Sequence, residues 1–269
     1  MNILVCIKQV PDTDKIKIDE NTNTLIRDGV DSIVNPLDMY ALEAAARIRD
    51  EYPDTKIVVA SMGVMSAEKA LRECLAVAAD KAYLINDKSF GGSDTFATAY
   101  ILYNAICVIE KSEGRFDAIF CGRQAIDGDT GQVGGELAEN LKYHQMTNVL
   151  TAKLLSDDDF RKLRVIQERD NGKIIAEVKC PCLITFTKSD MSIRSVSLKS
   201  KLVARKKEIS VIKKDTMTEL NTKYIGLLGS PTRVKKTYTP RKRKNTTVID
   251  AKDAKQATHK LIEMLMQEK

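Results

Sequence analysis

Residues 117–135 of this chain read Asp117-Ala-Ile-Phe-Cys-Gly-Arg-Gln-Ala-Ile-Asp-Gly-Asp-Thr-Gly-Gln-Val-Gly-Gly135. The apolar run from Ala118 to Cys121 is typical of a buried parallel strand, and Gly122 ends it. A loop rich in Gly, Asp and Thr follows, and apolar residues then recur at helical spacing from Gln132 to Leu141. A strand, a glycine-rich loop and a helix start together can present main-chain N–H groups to a phosphate.

The loop has two interpretations on local chemistry alone. Gly128, Gly131 and Gly134 lack a Cβ and would let the backbone approach a ligand closely. Asp129 and Gln132 have the spacing of a helix N-cap and its reciprocal partner, and the aspartates are expected to shape the turn and hold a ribose hydroxyl. The same residues are also typical of an ordinary strand–loop–helix connection. The loop matches neither Gly-x-Gly-x-x-Gly nor Gly-x-x-x-x-Gly-Lys-Thr, the two standard nucleotide patterns.

Short strands alternate with helices before and after this region. Strands are predicted at Ile3–Ile7, Lys56–Ser61 and Lys81–Ile85, and helices at Met39–Tyr52, from a Ser66 cap to Ala78, and at Phe96–Ser112. Strands separated by helices of ~10–15 residues predict parallel βαβ units and a doubly wound α/β sheet. Ligands bind outside the carboxyl ends of such strands, so the loops that begin at Lys8, Met62, Asp87 and Gly122 are expected to converge.

The pattern changes after Met146. Two alternating runs, Leu163–Arg169 and Lys173–Lys179, flank Asp170-Asn171-Gly172 and predict a hairpin. With a third strand at Leu183–Thr187 they are interpreted as antiparallel material added to the sheet. A second hairpin is predicted from Lys15–Asp19 and Thr24–Arg27, an irregular segment at Met191–Ala204, a short strand at Ile209–Ile212 and a final helix at Ala251–Gln267.

This pattern divides the chain into two parts. Residues 1–212 are predicted to form the nucleotide-binding or flavin-binding α/β domain. Residues 213–269 show little hydrophobic periodicity before the last helix, so they are predicted to form an extended C-terminal arm and a helix that pack on a partner chain.

Composition and charge exclude several classes of protein. Hydrophobic residues make up 43% and charged residues 30% of the chain, which argues against wholesale disorder. No run approaches the ~20 apolar residues of a membrane span, and the first residues lack a basic leader, so a cytoplasmic protein without membrane association is expected. The net charge of +6 is concentrated in Arg233–Asn245, where Tyr238 is the one aromatic residue. Nucleic-acid modules more often spread charge and interleave aromatics, so no nucleic-acid partner is predicted.

The cysteines do not form a metal-binding pattern. Most of the six lie in apolar strands or helices, where a reduced cysteine behaves as a small hydrophobic residue. Cys180-Pro-Cys182 has no second Cys/His pair at ligand spacing, and His144 and His259 are isolated. No metal site is therefore predicted.

The run from Cys121 to Gly134 resembles the signature loop of the electron-transfer flavoprotein beta subunit. Residues 3–12, 28–38, 61–63 and 75–80 resemble the same family, and Arg194–Ile209 resembles its recognition loop, so the resemblance covers essentially the whole chain. It implies a Rossmann-like fold of the adenine nucleotide hydrolase type. It also implies a heterodimer with an alpha subunit that carries FAD. Ordinary beta subunits hold AMP, and bifurcating ones hold a second FAD.

The resemblance assigns the adenylate contacts residue by residue. They are Cys6, Asn35, Asp38, Met62, Gln124, Ala125, Ile126, Asp127, Gly128, Asp129, Thr130, Gly131, Gln132, Val133, Gly134 and Gly135. The chain departs from the family pattern at Ala79, where Gly is usual, and at Gly135, where Pro is common; neither change removes a backbone donor. Leu198 matches the leucine that the family inserts into a dehydrogenase partner.

Four segments resemble the bifurcating branch: Asp28-Gly-Val30, Tyr40-Ala-Leu-Glu43, Phe90–Thr98 and Gly229-Ser-Pro-Thr232. Asp94, Thr95 and Thr98 are placed to hold a ribityl chain or diphosphate at a helix start, or alternatively to form a plain N-cap. Arg123 is either a partner for a negatively charged flavin or phosphate, or a surface arginine.

The function implied is that of the beta subunit of an electron-bifurcating flavoprotein. Its FAD would accept a hydride from NADH, pass one electron to ferredoxin and the other to the alpha-subunit FAD, which feeds an acyl-CoA, enoyl-CoA or lactate dehydrogenase. No catalytic side chain is predicted, because the flavin carries the chemistry. Two alternatives stay open: an electron carrier that holds structural AMP, and a nucleotide-dependent regulator or RNA-binding module that uses Arg233–Asn245.

Overall fold

The computed structural model describes residues 1–12, 17–19, 24–26, 31–156, 161–235, 248–249 and 253–267. The chain divides into two compact units. The main unit comprises Met1–Ile18 and Leu25–Lys235, and the smaller unit comprises Asp19–Thr24 and Lys236–Lys269. Among the described residues, the two hydrophobic clusters both belong to the main unit.

The strands in chain order are β1 (Asn2–Cys6), β2 (Gln9–Pro11), β3 (Lys17–Asp19), β4 (Thr24–Ile26), β5 (Ser32–Val34), β6 (Lys56–Met62), β7 (Lys81–Ile85), β8 (Ala118–Gly122), β9 (His144–Ser156), β10 (Arg161–Arg169), β11 (Gly172–Lys179), β12 (Cys182–Phe186) and β13 (Ile209–Ile212). The helices are α1 (Pro36–Glu51), α2 (Glu68–Val77), α3 (Thr95–Glu113), α4 (Val133–Leu141), α5 (Leu198–Lys206), α6 (Gly226–Gly229) and α7 (Ala254–Gln267).

The main sheet has the order β11-β10-β9-β12-β8-β1-β6-β7-β13. All neighbouring pairs from β9 to β13 are parallel, and β10 and β11 are antiparallel additions at one edge. The chain first runs outward from β1 through β6 to β7, and α3 then returns it to β8 on the other side of β1. The predicted doubly wound sheet is confirmed, and its switch point lies between β1 and β8.

Helices cover both faces of the sheet because its central strands are apolar throughout. On one face, Ile3 and Val5 of β1 belong to the same cluster as the apolar residues of α1 and α2. On the other face, Leu4 belongs with the apolar residues of α3 and α4. Alternate residues of a strand point to opposite faces, so a continuous apolar strand needs helices on both.

A buried glutamate joins elements at the amino-end edge of the sheet. Glu113, the last residue of α3, has a fully buried side chain that forms ion pairs with Lys56 and Lys81, at the starts of β6 and β7. The hydroxyl of Tyr83 also donates to Glu113. Burial raises the pKa of Glu113, but its cationic and hydroxyl partners outweigh that effect and leave the pKa at about 2.

Two predictions about the added strands are corrected. β12 was expected to be antiparallel, but it pairs in parallel with both β8 and β9. The strand β9 was not predicted, and it is the element that joins the antiparallel β10 to the parallel sheet. The hairpin itself is confirmed, with Arg169 opposite Gly172 and a two-residue turn between them.

Three local predictions also change. Ser66 does not cap a helix, because a 3₁₀ turn over Met65–Ala67 precedes α2, and the Ser66 hydroxyl bonds to Gln9 instead. The segment predicted to be irregular at Met191–Ala204 contains most of α5, with Ser197 as its N-cap. Of the short predicted hairpin, β3 and β4 are present and form a two-stranded sheet, whereas its turn and its outer residues lie outside the described residues.

The chain after β13 begins by packing on its own main unit. Met217, Ile225 and Ser230 are buried, and the amide of Asn221 donates to the hydroxyl of Tyr100 on α3 at 3.0 Å. The main unit therefore continues to Lys235, past the predicted division at residue 212. Within the smaller unit, α7 exposes Leu261, Ile262, Leu265 and Met266. Among the described residues, no helix is long and apolar enough to cross a membrane.

Candidate functional site

The carboxyl ends of β1 and β8 lie side by side at the switch point, with Cys6 opposite Cys121. Asp38, in the first turn of α1, joins the two strand ends. Its Oδ2 accepts from the Lys8 amide at 2.7 Å, and its Oδ1 accepts from the Gly122 amide at 2.9 Å. A Cβ at Gly122 would lie 2.4 Å from that same Oδ1, so this junction requires glycine.

Asn35, which is 1% exposed, fixes the loop that follows β8. Its amide donates to the Lys8 carbonyl at 2.8 Å. Its Nδ2 donates to the Gln124 carbonyl and to Asp38 Oδ1, both at 2.9 Å. Its Oδ1 accepts from the Ile126 amide at 3.2 Å. Asn35 and Asp38 thus satisfy backbone groups of two segments, those at the ends of β1 and β8, and both side chains act as supports for the site.

Burial sets the protonation of the groups beneath the site. Burial raises the pKa of Asp38 to about 7, although hydrogen bonds from Asn35, Lys8 and Gly122 lower it. Burial also raises the pKa of the Cys6 thiol to about 12 and that of Cys121 well above its usual range. These thiols are neutral, and they behave as small hydrophobic groups at the base of the site.

The loop itself is shaped by internal hydrogen bonds. The Ala125 carbonyl accepts from the amides of Gly128 at 3.3 Å and Asp129 at 2.9 Å. Asp129 and Gly131 then adopt left-handed backbone angles, with φ of 52° and 66°. The predicted capping pair is wrong, because Asp129 Oδ1 accepts from Gln124 Nε2 at 2.8 Å. Gln132 is itself the residue before α4, and its side chain makes no cap hydrogen bond.

Beyond this turn lies a row of unpaired main-chain donors. Within the part of the chain that the structure describes, the amides of residues 130–135 donate to no protein acceptor. The last three belong to the first turn of α4, whose amides lack intrahelical partners. Gly134 lets this turn pack directly on β12, since a Cβ there would lie 2.6 Å from Thr185 Cγ2. The row offers consecutive N–H groups without protein acceptors at the positive end of a helix.

The start of α3 borders this row. Thr95 Oγ1 lies 3.1 Å from Gln132 Oε1 and 3.2 Å from Glu136 Oε1. Asp94 is the N-cap of α3, accepting from the Ala97 amide at 3.0 Å, and the Thr98 amide donates to the Asp94 carbonyl at 2.9 Å. The other carboxylate oxygen of Asp94 is occupied by Thr232, whose amide and hydroxyl donate at 2.9 and 2.8 Å.

The remaining predicted residues have identifiable places. The Arg123 amide donates to the Phe186 carbonyl at 2.7 Å, and its Nε donates to Gln124 Oε1 at 3.1 Å. Met62 ends β6, the strand beside β1. Asp127 forms an ion pair with Lys8 at 2.7 Å. Leu198 is the first residue of α5, a separate element, and is 74% exposed.

Sequence reasoning missed two charged residues at this edge. Lys8 was noted only as a loop start, yet its position directly after β1 brings it to Asp127. Glu136 lies in the first turn of α4, and burial raises the pKa of its carboxyl group. Its Oε2 is buried and has no hydrogen-bond partner among the described residues. Across those same residues, no group of three His, Cys, Asp or Glu side chains is arranged to hold a metal.

Comparison with known proteins assigns the chain to a family. Residues 22–217 match the electron transfer flavoprotein domain. The chain belongs to the electron transfer flavoprotein family. It is 46% identical over 266 residues to the electron transfer flavoprotein subunit beta of Thermoanaerobacterium thermosaccharolyticum, covering 98% of each protein. The family predicted from the loop sequence is therefore confirmed.

Two further relatives of this flavoprotein chain carry more specific names. The chain is 42% identical over 240 residues to the caffeyl-CoA reductase-Etf complex subunit CarD of Acetobacterium woodii, covering 89% of the chain and 88% of the relative. It is 41% identical over 253 residues to protein FixA of Azorhizobium caulinodans, covering 93% and 89% respectively.

Proposed function

We propose that this chain is the beta subunit of an electron-bifurcating electron transfer flavoprotein and that it binds FAD at the β1–β8 switch point. When bound, FAD accepts a hydride from NADH and releases the electrons singly, one to ferredoxin and one to the FAD of an alpha subunit. The alpha-subunit FAD then supplies a flavin dehydrogenase or reductase. The complex is active as a heterodimer in the cytoplasm.

The row of donors at residues 130–135 is the observation that carries this proposal. Its amides are unpaired within the described residues and lie at the start of α4, where the helix dipole favours an anion. These donors fit the phosphates of a dinucleotide. They fit AMP and the ADP half of FAD equally well, so the identity of the ligand depends on what the rest of the edge can hold.

The chain's own residues have distinct tasks in this proposal. The polar side-chain atoms of Asn35 and Asp38 form hydrogen bonds within the protein, so these residues position the backbone. Main-chain groups are then left to contact the ligand. Gly122 and Gly134 allow the close approach of α1 and β12 to the loop. Arg123 places positive charge at the same edge, where it attracts a phosphate or a negatively charged flavin, whereas the charge of Lys8 is balanced by Asp127.

One contact supports the bifurcating branch over the AMP carrier. Two segments that resemble that branch, Phe90–Thr98 and Gly229-Ser-Pro-Thr232, are far apart in sequence. They meet through hydrogen bonds from Thr232 to Asp94 and from the Asp94 amide to Ser230 Oγ at 2.9 Å. This contact between the two segments lies next to Thr95, whose hydroxyl bonds to Gln132 beside the row of donors. The part of a ligand that extends beyond an AMP unit could then contact the surface that these two segments form.

A named relative and the exposed helix α5 support a proposal for the class of dehydrogenase partner and for the place where it binds. The Acetobacterium woodii relative is named as part of a caffeyl-CoA reductase complex, which supports a reductase acting on a CoA ester as the terminal partner. Leu198 on α5 is proposed to anchor that partner, because it is an exposed leucine among Lys199, Lys201 and Arg205.

A cofactor count tests the proposal. The chain is co-expressed with its alpha subunit, and FAD and AMP are released by denaturation and quantified per heterodimer. Two FAD and no AMP are expected, together with NADH-dependent reduction of ferredoxin when a dehydrogenase substrate is present. One FAD and one AMP would overturn bifurcation and identify the chain as an AMP-holding electron carrier of the same family.

A further inference from the structure

Helix α5 is held in place by few apolar contacts of its own. Of its nine residues, Ala204 is the one that is buried. Leu198, Leu202 and Val203 are half or more exposed, and Leu198 and Leu202 share one face at i, i+4 spacing. A helix of this length is marginal in isolation, so its conformation depends on tertiary contacts. Those contacts are concentrated at its two ends.

Arg194 fixes the chain just before α5 to helix α1. Its Nε donates to Glu43 Oε2 at 2.9 Å, its Nη2 donates to Glu43 Oε1 at 3.3 Å, and its own amide donates to Glu43 Oε2 at 3.1 Å. Nη2 also donates to Asp50 at 2.8 Å. Arg47 adds a contact from Nη2 to the Ser192 carbonyl at 3.2 Å. The Glu43 side chain is 4% exposed, so this junction is shielded from water.

Arg72 fixes the other end of α5 to helix α2. Its Nη1 donates to three carbonyls that end the helix, those of Ala204 at 3.1 Å, Arg205 at 3.2 Å and Lys207 at 3.1 Å. Glu68 holds the guanidinium through Nε at 2.9 Å and Nη2 at 2.6 Å. Carbonyls at the C-terminal end of a helix lack intrahelical donors and carry partial negative charge. A guanidinium supplies the missing N–H donors and also a compensating positive charge.

We propose that Arg194 and Arg72 are positioning residues that hold α5 as a preformed docking helix for the partner dehydrogenase. This inference rests on the proposed function, which supplies the partner. A preformed helix avoids the entropy cost of ordering a loop during association. The exposed leucines are ringed by Lys199, Lys201, Arg205 and Lys206, and α5 contains no acidic residue. The occupant is therefore a flavin dehydrogenase with an apolar groove bordered by carboxylates.

The electrostatics of the front junction agree with its geometry. Burial raises the pKa of Glu43, but the hydrogen bonds from Arg194 and Arg47 outweigh burial, and the pKa lies below its usual range. The pKa of Arg194 is raised, chiefly by Glu43. Both groups therefore stay charged at neutral pH, which keeps the junction closed under assay conditions.

The test compares five variants of the heterodimer with its alpha subunit, one of which is a control. Arg194→Ala and Arg72→Ala each remove one junction, and Arg194→Lys keeps the charge without the planar fork. Leu198→Ala removes the anchor alone. Arg49→Ala is the matched control, because Arg49 also joins α1 to a main-chain carbonyl, that of Ala78 at 2.7 Å, and to Asp80, without contacting α5.

Two measurements are made on each variant. Hydrogen–deuterium exchange follows the amides of α5. Steady-state kinetics follow electron transfer from NADH to purified flavin dehydrogenases of the acyl-CoA and lactate types, with ferredoxin present to accept the other electron and the oxidised substrate of each dehydrogenase present as the final acceptor. Removing either junction should speed α5 exchange about tenfold and raise the KM for the dehydrogenase about tenfold, with the kcat for a small tetrazolium dye unchanged. Arg194→Lys should lie between wild type and Arg194→Ala. Leu198→Ala should raise the KM without altering exchange, and Arg49→Ala should change neither.

The outcomes separate this inference from the proposed function. Unchanged α5 exchange in both alanine variants, or faster exchange without a rise in KM, overturns the positioning role. Failure of both dehydrogenase types to accept electrons from wild type overturns the docking role of α5. A heterodimer with one FAD and no NADH-dependent dye reduction contradicts bifurcation instead, and docking is then measured with the dithionite-reduced complex as the electron donor.

Discussion

Asp38 is a buried carboxylate that accepts N–H hydrogen bonds from Lys8, Asn35 and Gly122 where β1 and β8 end. Its pKa of about 7 lies above that of an aspartate in an unfolded chain, about 4. The folded state therefore binds the proton more tightly than the unfolded state does. The stability that this proton provides is complete below about pH 4 and is lost as the pH rises to about 7.

Asp38→Asn should make the melting temperature of the heterodimer less dependent on pH. Wild type should lose stability between about pH 4 and about pH 7, on the order of a few kcal/mol, whereas the neutral variant should lose less. The variant should also melt lower at every pH, because an amide nitrogen would face one of the three N–H donors. Thermal melts across this range measure both effects, and identical pH slopes would show that Asp38 does not titrate there.

Gly131 and Gly128 form a matched pair in the same loop. Gly131 has a φ of 66°, whereas a Cβ at Gly128 would meet no atom within 4 Å and its backbone is not left-handed. Gly131→Ala should cost about 1 kcal/mol of loop strain and lower the content of bound nucleotide, while Gly128→Ala should leave it unchanged. The nucleotide released per purified heterodimer is the measurement. Equal loss in both variants would contradict a role for the left-handed turn in binding.

Residue patterns predicted which residues lie at the site better than they predicted the hydrogen bonds and ion pairs that those residues form. The Asn35–Asp38 segment and the glycines were identified from sequence, and they do gather at one edge. The capping pair Asp129–Gln132 was wrong, because two left-handed residues delay the start of α4 until Val133. Lys8 and Asp127 are separated by more than a hundred residues, and their ion pair arises only from the order of the strands. Local spacing carries no information about such a contact.

At the scale of elements, α3 is joined to β6 and β7 through Glu113. Removing this buried acceptor leaves Lys56 and Lys81 without their partner and Tyr83 without its acceptor. Glu113→Ala should therefore destabilise the fold by roughly 2–4 kcal/mol. Its contribution should be present above about pH 4.5 and lost as the pH falls towards about 2, because the folded pKa is depressed.

Glu139→Ala is the control for that change. Glu139 pairs with Lys142 on the surface of α4, and both side chains are 76% exposed. An exposed pair contributes little, so this variant should stay within about 0.5 kcal/mol of wild type. Chemical denaturation of both variants measures the difference. Similar losses in the two would mean that burial of Glu113 adds nothing to its ion pairs.

Elements were predictable where their apolar residues face the core. Helices α1 and α3 and the central strands bury most of their apolar residues, so periodicity found them. In α5, Leu198, Leu202 and Val203 point outward, and a core pattern is absent from its sequence. Strand β9 is interrupted by polar residues and by Asn148, whose φ of 55° shifts the pairing with its neighbours. The sequence did contain one signal for α5: Ser197 is a typical N-cap residue, and the residues that follow it include neither Gly nor Pro.

At the scale of the whole molecule, both core clusters belong to the unit that ends at Lys235. A chain that stops after Lys235 should therefore keep its core, with a melting temperature within a few degrees of the full chain. It should bind the alpha subunit more weakly, because the basic segment and the exposed apolar face of α7 are lost. Calorimetric titration with the alpha subunit measures the affinity. Unchanged affinity would reject the arm as a partner-binding segment.

The topology was the most predictable property of all. The alternation of strands and helices in the sequence predicted a doubly wound sheet. That topology in turn predicted that the loops meet at the carboxyl ends of the strands. The direction of β12 was not predictable, because a hairpin followed by a strand fits either orientation and only the unrecognised β9 decides between them. β12 borders the site through Phe186 and Thr185, but no predicted site residue lies on it, so this error left the set of predicted site residues unchanged.

The junction at Asp38 has a consequence for how the protein is made. It unites the segment after β1 with the segment after β8, and the row of donors comes later still, at the start of α4. A nascent polypeptide thus has no pocket until β1, β6, β7, β8 and the start of α4 have all emerged from the ribosome. We expect cofactor loading to follow the folding of these elements, so that an apoprotein folded beforehand can still be reconstituted.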